Sequence, residues 1–334
     1  MIRPFRLWDA ALVARLQQDG MSLDLETRLT RSHSPLSTAL ISGMPFAGDG
    51  TCTCIADHKE ENGHWLGLAQ IRQRWGRPEY LVTFIAPVLT AGGGVHALWQ
   101  RLLTHLCVTA GENGAQRMYA GLPPEGEEYQ VFRHVGFVAY AQEEAYQWAP
   151  TNSLLPQTEP LPVRHQRERD SWGLQRLYGT VTPRAVQNAE GSAQGQWELS
   201  RHLWGTSPQR RGYVWEKSGE IKAAFQIRSN ATVHWVRMLL HPDVLDRADA
   251  LVAATLSRVR RSSGQKVCCA VRTYEAGIPA ALADCGFQPI GSQTLMVRHC
   301  AVRVREPVTQ ALPTLNGHAE RAASMPIPQS NVEH

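Results

Sequence analysis

No stretch of this sequence approaches the ~18 consecutive apolar residues that a membrane helix needs, although 43% of its residues are hydrophobic. No membrane partner is therefore expected. Met1 to Gly20 lacks an apolar core followed by a small-residue cleavage site, so a secretory leader is not expected there and a cytoplasmic location is. A disulfide framework is also missing: the seven cysteines are an odd number without regular spacing. Cys52 and Cys54 alternate as in a strand and so point to one face. Only His58 and His64 lie near enough in sequence to join them as ligands, in what reads as a hairpin loop. Core thiols in a reducing compartment, with no metal, are the expectation. Cys268 and Cys269 fall in a second strand-like run and read the same way. Lysine is scarce, at four residues among 34 basic ones. Residues 1–150 carry 12 basic and 15 acidic side chains, and residues 151–334 carry 22 and 15. That surplus forms no compact basic stripe, so no nucleic-acid partner is expected.

What is present is a sequence of short, well-punctuated elements. Residues 2–7 alternate as a strand. Trp8 to Gln18 reads as an amphipathic helix with Leu7, Ala11, Leu12, Ala14 and Leu16 on its apolar side. Residues 19–48 read as mixed short helix and loop. Thr51–Ala56 and Trp65–Arg72 read as a hairpin, and Tyr80–Ala86 as a strand buried on both faces. Pro87 to Gly94 follows, ending in three glycines. Val95, Leu98, Trp99, Leu102, Leu103, Leu106 and Cys107 then form a helical stripe. A strand at 118–122, a helix at 127–134, a Gly136-Phe137 turn and a strand to Trp148 complete this run. Residues 162–305 repeat the order: strand, helix, a hairpin around Ser218-Gly219, a buried strand at 233–240, a long helix from Pro242 to about Arg261, strand, helix, Gly286-Phe287 and a last strand. The two Gly-Phe pairs lie 150 residues apart, a domain-sized duplication. We expect two α/β domains, at 1–150 and 162–305, joined by a proline-bearing linker at 151–161. Residues 306–334 lack periodicity and read as a disordered tail.

A strand, a glycine-rich turn and a helix start together make an anion site. The first helical amides lack internal partners, the helix dipole is positive there, and glycine lets backbone approach closely. Gly92, Gly93 and Gly94 before Val95 have that form. A β–α turn that binds nothing has it too.

The element order, the loop and the Gly-Phe turns resemble the GNAT acyltransferase superfamily, over nearly all of residues 1–150 and more weakly over 161–305. The resemblance implies two tandem GNAT-like domains, each a mixed, mostly antiparallel central sheet flanked by helices. It implies acetyl-CoA or another acyl-CoA as co-substrate, no metal, and a small-molecule or peptide amine that attacks the thioester directly. The donor site would comprise Ile85, Ala86, Gly92, Gly93, Gly94, Val95 and His96. The family's loop runs Gln or Arg, two residues, Gly, one residue, Gly or Ala. Aligned on Pro87 these positions are Thr90, Gly93 and Val95; shifted by one they are Ala91, Gly94 and His96. Either register keeps one glycine.

The family often uses a tyrosine before the Gly-Phe turn as the acid toward the departing thiolate. Phe132 stands there and cannot donate a proton. Tyr129, His134 and Tyr119 are substitute candidates, and Glu79 is a candidate base for the amine. His134 also reads as an exposed helix position, and Glu79 as a turn residue beside Pro78. In the second copy, His241 to Leu251 contains no glycine, Leu282 replaces the tyrosine, and Asp243, Asp246 and Asp249 would repel a pyrophosphate. Arg298, Arg303 and Arg305 read as a charged edge strand. Ten tryptophans, among them Trp65, Trp75, Trp215 and Trp235, read as core or interface anchors. Two functions follow: an acyl-CoA-dependent N-acyltransferase, or a catalytically silent module of the same fold that binds a partner or senses acyl-CoA. A homodimer is compatible with both.

Overall fold

The structure is a computed structural model that describes residues 1–30, 34–42, 50–60, 63–74, 77–92, 94–149, 159, 161–191, 197, 209–259 and 265–300. For residues 30, 58–60 and 209 it describes the backbone alone. The expected tail, most of the linker, Trp75, Gly93, Arg303 and Arg305 lie outside the described residues, as does the side chain of His58.

The first half runs β1 (Ile2–Pro4), α1 (Ala10–Leu16), β2 (Met21–Ser22), α2 (Leu25–Thr30), α3 (Pro35–Ser42), β3 (Thr51–Glu60), β4 (Gly63–Gln73), β5 (Glu79–Ala86), α4 (Val95–Glu112), β6 (Arg117–Leu122), α5 (Glu127–His134) and β7 (Val138–Trp148). The second runs β8 (Arg164–His165), α6 (Ser171–Val181), α7 (Arg184–Glu190), β9 (Gln209–Lys217), β10 (Glu220–Ser229), β11 (Val233–Leu240), α8 (Ala248–Arg258), β12 (Lys266–Arg272), α9 (Ile278–Asp284) and β13 (Phe287–His299). The fold class is the expected one. The sheet is mixed and mostly antiparallel, with helices on its faces; the β5–β6 and β11–β12 pairs are parallel.

Periodicity explains most elements. The stripe on α4 is buried as read, with Leu98, Trp99, Leu102, Leu103 and Leu106 sealed against β3, β4, β5 and β6. In α1 the apolar side is set by Val13 and Leu16; Leu7 and Trp8 stand outside the helix and are largely exposed. The expected phase was therefore wrong, because a turn at Leu7–Asp9 precedes the helix. The helix expected from Pro242 likewise opens as a 3-10 turn through Arg247 and closes at Arg258. Between β9 and β10, Ser218 and Gly219 both adopt positive φ, as a two-residue hairpin requires.

Both halves open with one device. Asp9 accepts two bonds from Arg3 at 2.6 Å and one from the Arg6 amide at 2.8 Å. Asp170 accepts two from Arg164 at 2.7 and 2.8 Å and one from the Arg167 amide at 2.7 Å. The spacing Arg-x-x-Arg-x-x-Asp occurs in each half, at Arg3, Arg6 and Asp9 and at Arg164, Arg167 and Asp170.

The strand order is β1-β3-β4-β5-β6-β13-β7-β12-β11-β10-β9-β8. The last strand of each half is therefore placed beside the parallel strand of the other: β13 pairs with β6, and β7 with β12. Helices cross over as well. Leu25 and Leu29 of α2 pack on Val233, Trp235 and Cys268 of the second half. Ala189 of α7 packs with Tyr119 and Tyr140 of the first half, beside Val297 of β13. β13 is consequently an interior strand, and the edge-strand reading of Arg298 is corrected. Its charge stands inside the sheet, and sequence alone gave no sign that β6 and β7 would enclose it.

Candidate functional site

Parallel strands β5 and β6 pair only at their first residues, from Glu79↔Arg117 to Leu81↔Tyr119. Beyond Leu81 they part and leave a gap along the edge of β5. The chain itself fills this gap. The Asp19 carbonyl accepts from the Val88 amide at 2.7 Å, Met21 pairs with Ile85 and Ser22 with Phe84. The Leu23 amide donates to the Thr83 carbonyl at 3.0 Å, and the Asp24 amide to the Gly121 carbonyl on β6 at 3.0 Å. Residues 19–24 thus run from the mouth of the gap to its apex and stitch β5 to β6. Leu23 is sealed in the core beneath α4. Gly20 permits the approach, since a Cβ there would stand 2.2 Å from the Phe84 ring and 2.8 Å from Ala86 Cβ.

The glycine loop at the mouth is partly turned inward. The Gly92 amide donates to the Leu89 carbonyl at 3.4 Å and the Val95 amide to the Gly92 carbonyl at 3.2 Å. Gly92 has φ 113° with open space where its Cβ would be, which keeps one close approach available from solvent. Gly94 has another reason to be glycine: a Cβ would lie 2.3 Å from Trp65 Nε1, so Trp65 seats on the start of α4. Val95 and the side chains of Ile85 and Ala86 are fully buried. His96 Nε2 lies 3.4 Å from Glu127 Oε2 on α5, which brings a carboxylate to the end of α4 that would receive an anion.

None of the expected catalytic side chains is poised at the gap. Glu79 is buried, with Arg117 at 3.5 Å, Arg77 at 3.6 Å and Arg74 at 3.8 Å. It is a strand residue inside a cationic cluster, and the turn reading is corrected. Tyr129 is half-buried, with the Arg133 guanidinium 5.9 Å from its ring centroid. His134 is exposed in the last turn of α5. Tyr119 is buried and donates to the Ala189 carbonyl at 3.0 Å; burial raises its phenol well above the ordinary tyrosine range. Phe132 is wholly enclosed, edge-on to Trp99 and Phe137 at centroid distances of 6.4 and 4.9 Å.

The second half's counterpart is closed by side chains. His241 Nδ1 accepts from the Asp243 amide at 3.2 Å, and Asp243 lies 3.4 Å from Lys222. Arg247 reaches Glu159 at 3.4 Å. Five of the seven thiols are buried core groups, and Cys52 and Cys300 are half-buried. Cys52 and Cys54 share one face, their sulfurs 3.9 Å apart, while Cys268 and Cys269 face opposite layers. Burial raises Cys268 to about 11 and Cys107 to about 12, far from reactive values.

Sequence reading missed a buried polar network under α7. Arg272 pairs with Glu190 and lies 3.6 Å from Glu143. Tyr178 donates to Glu190 at 2.5 Å, and Gln293 joins Glu143 at 2.8 Å to the Leu25 amide at 2.7 Å. These residues come from both halves. No local pattern announces them, because they lie on elements far apart in sequence and several stand among other polar residues, Glu143 beside Gln142 and Glu144 and Gln293 between Ser292 and Thr294. Among the described residues no cluster of three His, Cys, Asp or Glu has the form of a metal site, and no helix is long and apolar enough to cross a membrane.

No family model matches the chain, and no curated protein matches it. Among solved structures it is similar to a GCN5-related N-acetyltransferase from Sphaerobacter thermophilus at 13% identity, covering 90% of this chain and 95% of that one, TM-score 0.49. It is similar to a tandem GNAT protein from the clavulanic acid biosynthesis pathway at 13% identity, covering 90% and 98%, TM-score 0.45. A putative acetyltransferase from Pyrococcus horikoshii gives 10% identity, 90% and 92% coverage, and TM-score 0.45. Likeness at this level carries no weight for the site, whose reading rests on the chain's own geometry.

Proposed function

We propose that the chain is a catalytically silent binding protein of acyltransferase-like architecture, its first donor gap closed by its own residues 19–24. The observation that carries this reading is the ladder from the Asp19–Val88 bond to the Asp24–Gly121 bond. It takes the backbone groups of β5 that a thioester carrier would use. The ion pairs of Glu79 and the tie between Tyr119 and α7 support it, since each engages a proton carrier elsewhere, and the enclosed Phe132 has no proton to give.

A second reading keeps the acyl-CoA-dependent N-acyltransferase, acting on an unidentified amine after residues 19–24 withdraw. The open space at Gly92 favours it. Calorimetric titration of acetyl-CoA into the chain and into Gly92→Asp separates the two. Silence predicts no saturable binding at millimolar acetyl-CoA. Binding near one molecule per chain, lost in Gly92→Asp with an unchanged melting temperature, would overturn the closed gap, and transfer of the acetyl group to an amine would then separate the enzyme from an acyl-CoA sensor.

A further inference from the structure

A second recess lies beside the end of α8, remote in sequence from the glycine loop. It has a volume of about 530 Å³ and is lined by His165, Arg211, Tyr213, Ser257 and Arg258. That is within the roughly 300–1,000 Å³ of small-molecule sites. Its floor is an aromatic column. Phe225 stacks on Tyr213 at 4.9 Å, and the His165 imidazole lies over Tyr213 at 4.6 Å, tilted by 36°. Two guanidiniums form its wall. Arg258 sits 5.6 Å from the Tyr213 centroid and donates to the Val163 carbonyl at 3.2 Å. Arg211 reaches Ser229 Oγ at 3.5 Å through one terminal nitrogen, while its Nε is buried without a hydrogen-bond partner among the described residues.

None of the described lining residues is a carboxylate. Arginine does not relinquish its proton, so these two charges face the cavity with no carboxylate among its described lining residues. Stability alone gives little reason to gather two guanidiniums and an imidazole on one aromatic surface, because like charges at short range oppose each other. A phosphate answers both guanidiniums through charge-assisted bonds. The exposed side of His165 offers a face for a planar ring, and stacking on such a platform adds binding without requiring a specific base edge.

We propose that this cavity binds a nucleoside phosphate, with Arg211 and Arg258 holding the phosphate and His165 stacking on the base. The site is independent of the glycine loop and of whether the first half is silent. The test is calorimetric titration of the full chain with AMP, adenosine and inorganic phosphate, repeated with Arg211→Gln, Arg258→Gln and His165→Ala. Saturable AMP binding is expected, tighter than that of adenosine or phosphate and weakening as salt rises. Arg211→Gln should weaken AMP by about tenfold or more, the loss of one charge-assisted contact. His165→Ala should bring AMP down toward the affinity of phosphate alone. Because Arg258 also braces Val163, Arg211→Gln carries the decision, and thermal melts confirm that it folds. Gly92→Asp should leave AMP binding unchanged. Absence of AMP binding at millimolar concentration, equal affinity for adenosine, or indifference to Arg211→Gln would each overturn the proposal.

Discussion

Glu190 is fully enclosed, and burial alone would raise its carboxyl above the ordinary range. The Arg272 guanidinium and the Tyr178 phenol overcome that effect and hold it down at about 2. An unfolded glutamate titrates near ~4.3. A carboxylate depressed on folding contributes stability that is fully present above the unfolded value and is lost as pH falls through the folded one. The window here runs from about pH 4.5 down to about 2. Glu190→Gln should therefore destabilise the chain at neutral pH by ~3–5 kcal/mol, the cost of leaving one buried charge with its main partner removed. The deficit relative to the parent should shrink through that acid window. Urea melts at pH 7, 4.5 and 2.5 check it; a deficit independent of pH would mean that packing, not charge, sets the contribution of Glu190.

Element by element, what was legible in the sequence was whatever a local period encodes. The buried runs of β5 and β11, the stripe of α4 and the short helices α5 and α9 between turn signals fall where patterning puts them. β2 did not, since two residues cannot display an alternation, and its partners Phe84 and Ile85 lie 62 and 64 residues along the chain. The glycine loop was legible as a candidate site for the same local reason, whereas its closure depends on hydrogen bonds between Met21–Asp24 and two distant strands. Gly20 is the one local trace of that closure. Its lack of a side chain lets the backbone lie flat over Phe84 and Ala86. Gly20→Val should lift the segment from β5 at a cost of ~1–3 kcal/mol, the usual range for overpacking. In hydrogen exchange, the amides of Leu23 and Asp24 should lose protection before those of β4. Unchanged protection at Leu23 would show that other contacts hold the segment.

For the molecule as a whole, the exchange of last strands matters more than any single contact. The described ladders of β7 run only to β12 and β13, and those of β13 only to β6 and β7. Each half therefore contributes a final strand whose pairing depends on the other half. The reciprocal packing of α2 and α7, and the network joining Arg272 and Gln293 to Glu143 and Glu190, add to that dependence. A fragment of residues 1–150 would hold β7 without any of its described neighbours and would leave the edge of β6 open from Arg117 to Leu122. Unpaired strands of that length invite association. We expect residues 1–150 and 159–334, produced separately, to show no cooperative thermal transition. Mixed, they should assemble one to one and recover such a transition, since the exchanged strands carry the pairing and the segment between the fragments need not be continuous. Circular dichroism melts and native mass spectrometry read both outcomes. A cooperative transition in either fragment alone would show that a half can complete its own sheet, and that the exchange is a convenience of the tandem chain and not a condition of its folding.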